Sequence, residues 1–254
     1  LDLAASPHTL INGACGTGKS VMLRALAMSA LDNGFDVVAI DTIMMALNFR
    51  TLEGKATIAR DGEAAVAALS DIVAEMGRRK ELLRTHSVSV SRWVELPESV
   101  LAAENVRPIL VVIDEYASTV TPYPVPKSLD KESEEFLEVL AHNATADRIK
   151  RLTAKLLREA RFVGIHLVIS TQRPDYVAFD GEMHANLGNV IMTVRPGKAV
   201  SPLMIDMAFS GKADKAAVSA AVATAVAAPS HGHAVLVTEH GAVTPLQFSL
   251  PANE

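Results

Sequence analysis

Residues 13–20 read Gly13-Ala14-Cys15-Gly16-Thr17-Gly18-Lys19-Ser20, a complete G-x-x-x-x-G-K-S, and no other stretch constrains the fold as tightly. A loop of this kind works only where a buried strand runs into it and a helix leaves it, because its backbone N–H groups must converge with the helix N-terminus on one anion. Both flanks are present. His8-Thr9-Leu10-Ile11-Asn12 is short, apolar and β-branched, while Val21, Leu23, Leu26, Ala27 and Ala30 recur at helical spacing. Lys19 is then set to reach the β and γ phosphates of a triphosphate, and Ser20 to offer its hydroxyl to Mg²⁺. Gly13, Ala14, Cys15, Gly16, Thr17 and Gly18 form the cradle, and Val21 follows at the helix start. A structural glycine turn needs neither the lysine nor the ordered strand and helix. Cys15 reads as a small loop residue rather than a redox centre.

A second cluster completes the chemistry. Ile109-Leu110-Val111-Val112-Ile113 is a continuous apolar run ending in Asp114-Glu115, the pattern of a strand buried on both faces of a parallel sheet. Its carboxyl end is where open α/β sheets bind ligands. Asp114 would hold the magnesium through water, and Glu115 would orient or deprotonate an attacking water, which favours hydrolysis over transfer to another acceptor. Residues 164–170 form another buried-looking strand that ends in Thr171 and Gln172, at the same expected edge. A polar side chain there can sense the γ-phosphate or merely satisfy backbone groups, and spacing alone leaves both open.

Strand candidates at 8–12, 36–40, 108–113, 164–170 and 189–194 alternate with helical sequence, which predicts an α/β fold: a mainly parallel sheet with helices on both faces. With 254 residues, 49% of them hydrophobic, the chain is expected to form one domain, its core over 2–200 followed by an alanine-rich helix (212–228) and a terminal hairpin (234–237 with 243–248). Asp61 is a candidate cap for a long helix through Leu69, Met76 and Leu83, and the proline-rich residues 121–126 read as a stiff loop. One cysteine excludes a disulfide framework and suits a reducing cytoplasm. No apolar run approaches the roughly 18 residues of a membrane span. The chain opens on Leu1 with a core strand almost at once, so it reads as part of a longer protein; any attachment to the inner face of the cell membrane would come from segments outside it.

The net charge of −5 carries no global footprint for nucleic acid. Locally, acids crowd residues 130–138, and Arg148, Arg151, Lys155 and Arg158 fall on one helical stripe. Such a stripe either complements the helix macrodipole in solvent or meets a polyanion or a neighbouring subunit.

Four stretches together resemble the motor domain of the FtsK/SpoIIIE family of DNA translocases. Asp2-Leu3-Ala4, Pro7-His8 and the phosphate loop through Val21 are similar to its opening strand and Walker A, Glu75-Met76-Gly77-Arg78-Arg79 to its Glu-Met-x-x-Arg helix, and Val112-Ile113-Asp114-Glu115 to its Walker B. Ala160-Arg161-Phe162-Val163-Gly164-Ile165-His166-Leu167 followed by Thr171-Gln172-Arg173-Pro174 is the most specific stretch, and the likeness extends over residues 2 to about 194. It implies a RecA-like P-loop NTPase that takes ATP and Mg²⁺, acts on double-stranded DNA, and assembles as a homo-oligomer, a hexameric ring with ATP between subunits. Residues 121–130 and 174–184 would then face the pore. The sequence also departs from the family: Thr42-Ile43 follow Asp41 where a Pro-Lys pair is usual, and Val190 stands where an arginine is common. A trans-acting arginine finger therefore falls to Arg161 or Arg173. Residues 199–228 replace segments typical of the housekeeping translocases, as in a divergent member serving conjugative or mobile-element DNA transfer. Type VII secretion ATPases, which act on protein substrates, resemble the same family and stand as the rival.

Overall fold

The structure, a computed structural model, describes residues 3, 6–86, 90–125, 130–175 and 177–248. Residues 126–129 and Tyr176, parts of the two stretches expected to face a pore, lie outside it, as do Asp2 and Ala4.

Eight strands form one sheet in the order β3-β2-β4-β5-β1-β6-β7-β8. Strands β1 (His8–Asn12), β2 (Asp36–Ile40), β3 (Thr57–Ala59), β4 (Ile109–Ile113), β5 (Ile165–Thr171) and β6 (Asn189–Thr193) run parallel; β7 (His233–Val237) and β8 (Val243–Gln247) add an antiparallel hairpin at one edge. The helices are α1 (Lys19–Asp32), α2 (Gly62–His86), α3 (Glu98–Ala103), α4 (Tyr116–Val120), α5 (Glu134–Glu159), α6 (Gly181–Asn186), α7 (Pro202–Phe209) and α8 (Lys215–Ala227).

Alternation along the central strands builds two apolar layers. In β4, Ile109, Val111 and Ile113 join the cluster beneath α2 and α5, while Leu110 and Val112 join the cluster beneath α1. Burial on both faces is why these strands appear as unbroken apolar runs. Parallel register brings the carboxyl ends together: Asn12 of β1 lies beside Thr171 of β5 and Met192 of β6, and Ile113 of β4 beside Ile169 of β5. Everything that follows β1, β4 and β5 in sequence therefore emerges at a single edge.

Local capping decides where several helices begin. Asp61 Oδ1 accepts from the Ala64 N–H at 2.8 Å, as expected. Ser133 caps α5 by accepting from Phe136 N–H at 3.2 Å, so Asp130 and Glu132 precede the helix while Glu134 and Glu135 fill its first turn and Arg158 its last. Arg148, Arg151, Lys155 and Arg158 are exposed, and Ile149, Leu156 and Leu157 are buried. The alanine-rich helix starts at Lys215 rather than Lys212, because Asp214 takes the cap by accepting from Ala217 N–H at 2.8 Å. Strand β3 and helix α7 had no counterpart in the sequence pattern.

Candidate nucleotide site

Strand β1 delivers the phosphate loop to the sheet edge and α1 leaves it at Lys19. Gly18 turns the chain with φ 94°, a left-handed value that disfavours any side chain. Gly13 is required for a different reason, close approach: a Cβ there would lie 2.3 Å from Thr193 Oγ1 and 2.7 Å from Thr17 Oγ1. Those two hydroxyls hydrogen-bond each other at 2.7 Å, and Thr17 Oγ1 also donates to Ala14 O at 2.8 Å, so the loop is stitched to the end of β6. Cys15 is exposed at the loop tip.

Lys19 is buried (5% exposed), and its Nζ stands 3.4 Å from Glu115 Oε1 and 3.4 Å from Ala14 O. Asp114 is buried at the end of β4. Its Oδ1 accepts from Ser170 Oγ and, at 3.0 Å, from the Glu115 N–H; its Oδ2 accepts from Asn48 Nδ2 at 3.2 Å. Glu115 itself has a left-handed backbone, φ 46°, which turns its carboxylate toward the loop lysine. Gln172, just past β5, donates from Nε2 to Glu115 Oε1 at 3.0 Å. The Glu115 carboxylate is thus held from two sides, by the Lys19 ammonium at the start of α1 and the Gln172 amide at the end of β5. Asp41 closes β2 nearby. Burial pushes it up from the ordinary carboxylate value, the N–H groups of Met44 and Ile43 oppose this, and the Asp114 charge adds to it.

Lys19, Asp114, Glu115 and Gln172 therefore converge. Arg173 sits on the rim of an open cleft of about 640 Å³ that Glu115 and Gln172 line, and Ile43, where the family's lysine is absent, lines it too. Arg161 lies at the opposite end of β5, ion-paired to Glu239 at 3.3 Å. Asn48, Ser170 and Thr193 were missed: each is an ordinary polar residue whose partner is 56 to 181 positions away in sequence. The Glu-Met-x-x-Arg stretch proves to be a strut. Arg79 is buried, its Nη1 and Nη2 donating to Val163 O at 2.9 Å and Arg107 O at 2.7 Å.

The donor set suits magnesium, a hard cation that takes oxygen ligands. The Ser20 hydroxyl, in the first turn of α1, has no hydrogen-bond partner among the described residues, and Asp114 is a fixed buried carboxylate. Among those residues there is no cluster of three His, Cys, Asp or Glu side chains that could hold a metal alone, and no helix long and apolar enough to cross a membrane.

The sheet order, the stitched phosphate loop and the paired acids define a RecA-like P-loop ATPase. Solved structures agree in fold: the pCW3 conjugation coupling protein TcpA, in its monomer form with ATPγS, superposes at TM-score 0.73 and 24% identity, covering 97% of this chain and 61% of that one. The cytoplasmic domain of the type VII secretion ATPase EccC from Thermomonospora curvata superposes at TM-score 0.63 and 20% identity, over 98% of this chain and 26% of that one. The chain belongs to the FtsK/SpoIIIE family, which it matches over residues 1–176. DNA translocase SftA of Bacillus subtilis (strain 168) is 31% identical over 219 residues, and DNA translocase FtsK of Treponema pallidum (strain Nichols) is 27% identical over 217. These alignments cover 84% and 81% of this chain but only 21% and 24% of the relatives' length.

Proposed function

We propose that this chain is the motor domain of a DNA translocase: it hydrolyses ATP and uses the cycle to move double-stranded DNA, as one subunit of a ring, in conjugative or mobile-element transfer. The observation that carries this is the 3.0 Å hydrogen bond from Gln172 to Glu115, because it ties the carboxylate that would activate water to the end of β5, just ahead of Pro174 and Asp175 in a stretch expected to face the pore, whose residues 181–184 prove to belong to helix α6 rather than a loop. A loop that grips phosphates can then feel, and report, the state of the nucleotide.

In this mechanism Lys19 and the loop N–H groups bind and orient the triphosphate, and Glu115 takes the proton of the attacking water. Ser20 and Asp114 would hold Mg²⁺, which when bound neutralises charge on the β and γ oxygens. Arriving phosphate charge competes with Glu115 for Lys19, freeing the carboxylate when there is something to hydrolyse. Stabilising charge from a neighbouring subunit falls to Arg173 at the cleft rim, or to Arg161 from the far edge. Residues 1–254 act as a single motor domain, and any tether to the inner face of the membrane belongs to other segments.

Steady-state ATPase assays with and without duplex DNA test the proposal. Duplex DNA is expected to stimulate hydrolysis, in a salt-sensitive way, and Lys19→Ala or Glu115→Gln to abolish it. Absence of stimulation under assembling conditions would refute DNA translocation, and a peptide that stimulates where DNA fails would favour a type VII secretion-like role.

A further inference from the structure

A bound triphosphate carries a nucleoside at its α end, and the sheet order decides where that end goes. The γ end belongs between Lys19 and Glu115, on the β4 side of β1. With the other phosphates along the loop and the first turn of α1, the nucleoside leaves on the far side of β1, toward β6, β7 and β8.

Phe248 stands on that side, immediately after β8. Its ring covers the loop where α1 begins: a Cβ built on Gly18 would meet the ring's Cζ at 3.0 Å and Cε2 at 3.2 Å. The ring is half-buried and packs against the apolar cluster beneath α1, as Leu26, Leu236 and Leu246 also do. Its backbone is anchored, the Phe248 N–H donating to Gly232 O at 2.7 Å. A flat, fixed ring on the nucleoside's exit side offers a nucleotide stacking against its base.

We propose that Phe248 is the nucleobase platform of this site, stacking on the purine of the bound nucleotide. The inference rests on nucleotide binding at Lys19. A stacking face carries no hydrogen-bond code, so it grades ligands by the area of the base: ATP and GTP bind alike, and CTP and UTP bind more weakly.

Titration of wild type, Phe248→Ala and Phe248→Trp with ADP and with tripolyphosphate tests this. Phe248→Ala is expected to weaken ADP about tenfold while tripolyphosphate binding stays within about twofold, and Phe248→Trp to restore ADP binding. The introduced indole, read against the native Trp93 background, should be quenched by ADP and not by tripolyphosphate. Unchanged ADP affinity in Phe248→Ala overturns the platform and leaves the phosphate site standing. Equal loss of ADP and tripolyphosphate overturns it too, since Phe248 would then only prop the loop. A wild-type protein that binds neither ligand overturns the nucleotide site itself, and this subsite with it.

Discussion

Replacing Arg79 with alanine is expected to destabilise the protein by about 3–5 kcal/mol without touching the nucleotide site. The Arg79 side chain is 3% exposed and makes three charge-assisted bonds: Nε to Glu75 Oε1 at 2.7 Å, Nη1 to Val163 O at 2.9 Å and Nη2 to Arg107 O at 2.7 Å. Val163 and Arg107 lie just before β5 and β4, so one guanidinium on α2 ties down the entry ends of the two strands whose exits carry Gln172 and Asp114. Burial draws its pKa down and Glu75 holds it up, yet arginine stays charged at any working pH. Truncation strands two carbonyls, and each bond to a charged group nets roughly 1.5–3 kcal/mol. Glu75 suffers less, being 25% exposed and still held by Arg78 at 2.7 Å. A loss of this size is a large part of the roughly 5–15 kcal/mol that holds a domain together. Urea denaturation at neutral pH measures it directly, and thermal melting should fall by about 10 °C. Arg79→Lys is expected to rescue little, since an ammonium cannot span two carbonyls as a planar fork does. A loss below about 1 kcal/mol in the alanine variant, or full rescue by lysine, would refute the strut.

Two further outcomes are expected. Gln172→Ala should lower kcat by about 10–100-fold, since one of the two restraints on Glu115 is gone, while ATP affinity changes little; wild-type single-turnover rates in this variant would sink the assignment. Acid should destabilise the protein through His8 and His166. Burial, the His166 ring and the Arg161 charge pull His8 down to about 3, and burial pulls His166 down to about 4. His8 Nδ1 also accepts the Leu167 N–H at 3.1 Å, which a protonated ring cannot do. The unfolded chain binds these protons near pH 6.5 and the folded one resists, so this stability is complete above 6.5 and lost as pH falls toward 4. The loss should reach about 2 kcal/mol per histidine at pH 5, and identical urea midpoints at pH 7.5 and 5 would contradict it.

Legibility varied with the range of the interaction. The phosphate loop and the five central strands could be read because each is a local pattern: glycines and a lysine at set spacing, or apolar runs that two covered faces demand. Strand β3, only Thr57–Ala59 at an edge, has too few residues to show a period, and α7 opens on Pro202 with its cap on Ser201, a signal easily taken for a loop. Glu75 and Arg79 were noticed as a motif; their work as a brace depends on carbonyls 28 and 84 residues away.

A phosphate loop and a pair of acids closing a buried strand were legible in the sequence alone, because the loop's outer glycines, lysine and serine stand at set spacing and the strand is an unbroken apolar run. Which side chains hold those acids, that Arg161 and Arg173 stand at opposite ends of β5, and that Phe248 comes to rest on Gly18 were decided only by the tertiary structure. Parallel strands far apart in sequence meet through register and crossover, and neither leaves a mark on the residues nearby.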